Sequence, residues 1–218
     1  MIWESWPWKQ DLLRDADILG RWAAKPPTER RSYLVEKKVF FAAYSMRKLL
    51  EAGKLSTATM NRSIGCKVYP ALSAAISSDN RHHFDELYDL NSPVMRQLPA
   101  RTLINMIIHS LVFVEGLADN LSLSSFLITS DRTKFDGLWE VPLDAFIRTM
   151  RRVGADMPST YVRALDPVKG SWLIWPGNGE PPKHVEEALA AISRNHARSN
   201  PANLNSRSAP ARASERKE

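Results

Sequence analysis

The sequence predicts an α+β fold: an N-terminal helical bundle packed with a small antiparallel β-sheet, then a disordered basic C-terminal tail. Three observations predict it. Apolar residues recur at three- and four-residue spacing through much of the first half, while alternation and turn-rich breaks take over from Leu111. After about Arg198 the composition shifts to Ser, Asn, Ala, Pro and Arg. With 218 residues, 44% of them hydrophobic and 25% charged, the chain has the composition of one soluble domain with an appendage. The expected division is a single α+β domain over 1–176, with a helical half (5–110) and a sheet-rich half (111–176). A linker and short helix over 177–197 and a disordered tail over 198–218 complete it.

Ser5 is placed to cap a first helix reaching about Ala24, with Pro7 near the first turn, where its missing N–H costs little. Leu13, Ala16, Leu19 and Ala23 give it an apolar side, and Lys25-Pro26-Pro27 ends it. Thr28 opens a long helix to about Ala52, with Gly53 at the position after its end. Val35, Val39, Ala42, Met46 and Leu49 line one face, and Phe40, Phe41, Ala43 and Tyr44 broaden it enough to need more than one neighbour. Ser56 caps a short turn through Asn61. Alternation of Ile64, Cys66 and Val68 with Ser63, Gly65 and Lys67 predicts a strand over 62–69, bounded by Pro70. The stretch 71–98 has no clear period beyond a polar loop near Ser77–His83 and a helical turn at Phe84–Leu90.

Pro99 to Ser110 reads as a helix with Leu103, Ile104, Ile107 and Ile108 as apolar members. Strands follow at Leu111–Glu115, Leu121–Thr129 and Leu138–Val141. A helix over Pro142–Val153 is closed by Gly154, and a last hairpin pairs Tyr161–Leu165 with Ser171–Trp175. Beyond the linker glycines and prolines, Val185–Ile192 forms a short appended helix.

Composition narrows the function. No apolar run approaches the roughly 20 residues that span a bilayer, and the N-terminus lacks a signal-peptide layout, so a cytoplasmic protein with no membrane partner is expected. Cys66 is the sole cysteine, which excludes an internal disulfide and a multi-cysteine zinc site. There is no Walker loop, GxSxG elbow, dinucleotide glycine fingerprint or HExxH pair, and neither a cofactor nor a metal is expected. His82-His83 beside Asp85 and Glu86 matches no zinc spacing and reads as a polar loop. Of the formal +6 charge, +4 lies in the last 25 residues; the body is nearly balanced. A basic tail of this kind attracts polyanions or is merely solvated.

The chemistry-bearing stretch is Arg101-Thr-Leu-Ile-Asn105-Met-Ile-Ile-His109. On a helix Arg101, Asn105 and His109 fall at i, i+4 and i+8 on one face, the outer two about 12 Å apart at about 1.5 Å rise per residue. A guanidinium, an amide and an imidazole in register are able to contact a phosphate, orient a hydroxyl and move a proton, the requirements of metal-independent RNA cleavage. The same stripe also reads as a structural one, with His109 capping a carbonyl. A single helix supplies no second proton-transfer group, so one must come from another subunit or helix, where Glu36, Tyr44 and Arg47 are available.

The long Glu36–Glu51 helix followed by a helix with a polar-x3-His signature resembles the HEPN superfamily of small helical proteins, over about residues 5–110. Many members are ribonucleases or toxins in bacterial conflict and defence systems, including toxin–antitoxin pairs. They usually act as dimers with paired motifs across the interface. The resemblance implies a homodimeric, RNA-associated protein with His109 and Asn105 as motif residues. Ile104 stands at the motif's arginine position, and Arg101 is the nearest basic residue. Asn105–Ser110, with the following strands and the Ser130-Asp131 turn, is also similar to a group of uncharacterised bacterial proteins.

The alternative is a non-catalytic interaction or regulatory module with a protein partner. Trp172 and Trp175 straddle the two faces of the last hairpin, so at least one is exposed. Arg148, Arg151 and Arg152 cluster on the preceding helix, where they meet an acidic partner in this reading. Trp3 and Trp6 are expected to fold back on helix surfaces. The basic side of the long helix reads as a solvated face of i,i+4 pairs.

Overall fold

The computed structural model describes residues 2–72 and 76–199. Helix α1 (Trp6–Ala23) and helix α2 (Glu29–Glu51) follow the predicted spans. Thr28 caps α2 by accepting the Arg31 N–H at 3.1 Å, and Gly53 ends it at φ +66°, a conformation that favours glycine. Ser5 precedes α1 without a side-chain cap bond. A short helix α3 (Thr57–Asn61), capped by Ser56, leads into strand β1 (Ser63–Tyr69). A single 3₁₀ turn at Arg81–His83 runs into a one-turn helix α4 (Phe84–Leu87). Strand β2 (Val94–Pro99) then precedes helix α5 (Ala100–Ile108). The second half gives β3 (Ser110–Leu117), β4 (Leu123–Ser130), β5 (Leu138–Pro142) and helix α6 (Leu143–Ala155). The hairpin β6 (Thr160–Leu165) and β7 (Trp172–Gly177) and helix α7 (Lys183–Ser199) complete it.

The sheet is antiparallel, five-stranded, and ordered β2-β1-β5-β4-β3. It draws strands from both halves of the sequence, with β1 inserted between β2 and β5. Alternation therefore decides the two faces. Ile64, Cys66, Val68, Phe126, Ile128, Trp139 and Val141 point into one core with α1, α2, α5 and α6. Leu138 and Val112 join Ile76, Leu87 and Tyr88 in a smaller core on the other face. Phe40, Phe113, Phe126 and Phe146 follow one another at centroid distances of 5.3, 5.3 and 5.6 Å, the middle pair stacked and the outer two edge-to-face, joining α2 to α6 through two strands. Arg31 and Ser32 on α2 both donate to the Glu115 carboxylate on β3, which ties the long helix to the sheet edge.

Four expectations are corrected. β2 is a strand that the sequence did not announce; its first four residues are exposed, so no buried alternation marks it. Gly154 does not close α6, which runs on to Ala155. Instead, a Cβ there would lie 2.6 Å from the Leu13 side chain and 3.0 Å from the Lys9 carbonyl, so Gly154 allows α1 and α6 to touch. Trp3 and Trp6 are 84% and 57% exposed and do not fold back. The appended helix spans Lys183–Ser199, 17 residues rather than the expected Val185–Ile192; residues 200–218 of the expected tail lie outside the described residues.

Lys9 lies in the core, a charge that no apolar periodicity marks. Its ammonium is buried under α1 and donates to the Lys54 carbonyl at 2.8 Å and to the Asp156 carbonyl, pinning the ends of α2 and α6 to α1. Burial pulls its pKa down from the ordinary lysine value. No helix among the described residues is long and apolar enough to cross a membrane.

Candidate functional site

Helix α5 positions the predicted trio. Leu103, Ile104, Met106 and Ile107 are buried against the sheet and α2, which leaves Arg101 and His109 exposed and Asn105 half-buried. The helix stops at Ile108, and His109 is its cap residue, its N–H donating to the Asn105 carbonyl at 3.1 Å. That bond keeps His109 one turn beyond Asn105 although its backbone has left the helix. Its imidazole is exposed.

The neighbour of His109 follows from strand register. Ser110, the first residue of β3, pairs with Ser130, the last of β4. The turn from β4 to β5 therefore lies beside the end of α5. Thr133 fixes this turn, accepting the Ser130 N–H at 3.1 Å and donating its own N–H to the Ser130 carbonyl at 3.0 Å. Between turn and helix runs a groove of about 510 Å³ lined by Arg47, Thr102, Asn105, Met106, His109 and the turn residues Ser130–Thr133. Arg132 is exposed there and makes no ion pair among the described residues.

Arg101 opens elsewhere. It lines a second groove of about 570 Å³, bounded by the end of α2 and by Tyr161, Arg163, Ile174 and Pro176 of the β6–β7 ribbon. Arg101 and His109 thus face different grooves. Asn105 borders both, and so does Arg47 of α2. The Arg47 guanidinium donates to the Asn105 side-chain oxygen at 2.5 Å and to Glu51 at 2.6 Å. The guanidinium beside the Asn105–His109 pair is Arg47, not Arg101. At the motif's arginine position Ile104 is fully buried and has no access to either groove. Of the three residues considered as second groups, Arg47 reaches the site. Glu36 lines a groove along the β3 edge, and Tyr44 lies under the Lys48 ammonium on the outer side of α2. No local pattern marked Arg47, because its i,i+4 pairing with Glu51 is that of any solvated helix face.

The partner-binding residues separate into two places. On the ribbon, Trp172 is exposed and Trp175 half-buried. Register puts Leu165 opposite Trp172, Arg163 opposite Ile174 and Tyr161 opposite Pro176, so these residues share the outer face, exposed except at Pro176, which is buried. Val162, Ala164, Leu173 and Trp175 alternate with them and are half-buried, on the side over which α7 packs. The Arg163 guanidinium lies 4.1 Å from the Trp172 ring centroid. On α6, Arg148 pairs with Asp144 and Arg151 with Asp17 of α1, while Arg152 is half-buried near Arg62 and Arg148. Burial lowers the Arg152 pKa, and its two cationic neighbours add to that. No hydrogen bond or ion pair among the described residues links the α6 arginines to the ribbon tryptophans.

His82 lines the groove beside β3, and His83 lies 3.8 Å from Glu86. Among the described residues no three His, Cys, Asp or Glu side chains gather as a metal site would require.

No protein-family model, curated protein or solved structure matches this chain.

Proposed function

We propose that this protein binds RNA in the groove between α5, α2 and the β4–β5 turn, and cleaves it without a metal in the manner of a HEPN-like ribonuclease. The observation that carries the reading is the Arg47–Asn105 hydrogen bond one helical turn from the exposed His109. It brings to that pair the guanidinium that the HEPN-like motif lacks at Ile104. In the proposed reaction the His109 imidazole takes the proton of a ribose 2′-hydroxyl, and the 2′-oxygen attacks the adjacent phosphorus. The bond to the 5′-oxygen breaks, a 2′,3′-cyclic phosphate forms, and the leaving oxygen takes a proton from solvent. Arg47 and Arg132 face the charge that develops on the phosphate oxygens. A cytoplasmic toxin or defence role fits such an activity.

The test is to incubate the purified protein and its His109→Ala variant with total cellular RNA and look for cyclic-phosphate ends. Cleavage lost in the variant supports the reading. Equal absence of cleavage by both at high protein concentration overturns it.

A second reading, self-assembly into a homodimer, is favoured by the outer face of α2. Tyr33, Lys37, Phe41, Tyr44 and Lys48 form an exposed or half-exposed stripe, with Lys37 about equidistant from the Tyr33 and Phe41 rings at 6.0 and 5.8 Å. Reversed end to end, the stripe is complementary to itself. An antiparallel second copy of α2 sets Tyr33 against Lys48, Lys37 against Tyr44 and Phe41 against Phe41. Light scattering checks it: the wild type is a dimer, and Phe41→Glu is a monomer with unchanged circular dichroism. A monomeric wild type rules it out.

A further inference from the structure

The outer face of the β6–β7 ribbon carries exposed aromatic and cationic side chains that the groove chemistry leaves unused. Tyr161, Arg163, Leu165, Trp172 and Ile174 share this face at paired positions, and Tyr161 and Trp172 are 52% and 51% exposed, with the Tyr161 hydroxyl over Gly53. A two-stranded ribbon with one face under α7 would ordinarily present polar residues on the other. This one presents a tryptophan, a tyrosine and two aliphatic side chains around a single arginine.

Its position is as informative as its composition. Tyr161, Arg163 and Ile174 form one wall of the groove whose opposite wall carries Arg47, Arg101 and Asn105. Arg47 and Asn105 are also walls of the His109 groove, so the two grooves adjoin at that pair. Beyond that pair, on the side away from His109, lie Arg101 and the ribbon wall. Among the described residues Glu51 is the one acid lining this second groove, and it is held by Arg47 and Lys48. Arg47 and Arg101 on one wall, facing Tyr161 and Arg163 on a ribbon face that also carries Trp172, are the parts required to hold phosphates on one side and bases on the other.

The geometry points to the outer ribbon face as a stacking platform for the unpaired bases of an RNA strand whose backbone is held in the His109 groove. The occupant is single-stranded, since a duplex has no free base faces to offer the rings. Arg163 lies against the Trp172 ring, which orients both groups before a ligand arrives. Arg101, without an ion-pair partner among the described residues, is the phosphate contact between the two grooves. This inference rests on the RNA reading of the His109 groove, and its test separates the two.

A fluorescent adenosine oligoribonucleotide with 2′-O-methyl groups cannot be cleaved, so its binding is measured independently of His109 chemistry. Full-length wild type is compared by anisotropy with Trp172→Ala, Tyr161→Ala, Trp172→Phe and, as a control at the exposed hairpin tip, Val168→Ala. Each alanine variant is expected to bind about tenfold more weakly, from the loss of one stacked base. Trp172→Phe binds within about twofold of wild type because it keeps a ring, and Val168→Ala binds like wild type. A duplex of matched length binds more weakly and responds to neither ring substitution. Wild-type affinity in both alanine variants, or equal affinity for the duplex, overturns the platform and leaves the RNA reading standing. No binding of either RNA by the wild type overturns both.

Discussion

The Arg47 guanidinium and the Asn105 side-chain oxygen, 58 residues apart in sequence, are hydrogen-bonded at 2.5 Å where two surface grooves meet. Asn105 is thereby held with its oxygen toward α2, and Arg47 is held by Asn105 on one side and Glu51 on the other. A planar, five-donor group fixed in this way is preorganised to accept a phosphate on its remaining N–H edges.

Arg47→Met therefore separates binding from folding. The side chain is part-exposed and its pairs are with surface groups, so thermal stability is expected to change little. RNA affinity should fall about tenfold or more, from the loss of a charge-assisted contact. Parallel melting and anisotropy measurements check this. A variant that melts far below wild type refutes the assignment of Arg47 to the surface grooves alone.

Gly154→Ala should reverse the usual helix rule. In an exposed helix interior the change stabilises by roughly 1 kcal/mol. Here the added methyl meets the Lys9 carbonyl at 3.0 Å and the Leu13 side chain at 2.6 Å, and backbone is slow to yield. A loss of about 1–3 kcal/mol in urea unfolding is the expected outcome.

Lys9→Met keeps the aliphatic stem and removes the ammonium, leaving the Lys54 and Asp156 carbonyls without this donor. A destabilisation of about 3 kcal/mol follows from the loss of two charge-assisted bonds between helix ends. Chemical denaturation of the purified variant measures it, and an unchanged midpoint would disprove the staple.

Cys66 is fully buried, and burial pushes its thiol up to about 12. The thiol therefore stays protonated at any ordinary pH. Alkylation at about pH 8, where a free thiol reacts readily, should modify only protein carried through unfolding. Mass spectrometry after iodoacetamide, with and without denaturant, gives the answer.

The Tyr69 hydroxyl donates to Glu140 at 2.6 Å, and burial with that carboxylate pushes the phenol from 10.0 up to about 12. A folded pKa above the unfolded one favours the protonated form. Its stabilisation is complete below pH 10 and is lost as the pH rises toward 12. Glu140 works in the other direction. Burial raises its pKa, but bonds from Tyr69 and Ser125 and the nearby Lys67 outweigh that and hold it low, so its stabilisation is lost as the solution turns acidic. Tyr69→Phe should flatten the alkaline arm of a stability–pH curve. An alkaline arm unchanged in the variant contradicts the coupling.

Much of this architecture is legible from neighbouring residues. The spacing of Val35, Val39, Ala42, Met46 and Leu49 specifies α2 and its buried face, because a helix brings those positions together whatever lies around it. Alternation through Ile64, Cys66 and Val68 specifies β1, and two-residue periodicity places Trp172 and Trp175 on opposite faces of their ribbon. The exposure of Arg101 and His109 at the two ends of α5 is likewise readable, but not that they open into different grooves. β2 was not, since a strand whose first four residues are exposed carries no buried alternation.

Tertiary structure alone decided which of those side chains share a groove. Strand order put β1 beside β5, the pairing of Ser110 with Ser130 brought Arg132 next to His109, and the packing of α2 on α5 brought Arg47 to Asn105. It also buried Lys9 against a carbonyl 147 residues away. Periodicity reports only what a residue's own helix or strand does with it. Contacts between distant segments depend on how apolar faces fit together, and the polar groups that meet there leave no repeat in the chain.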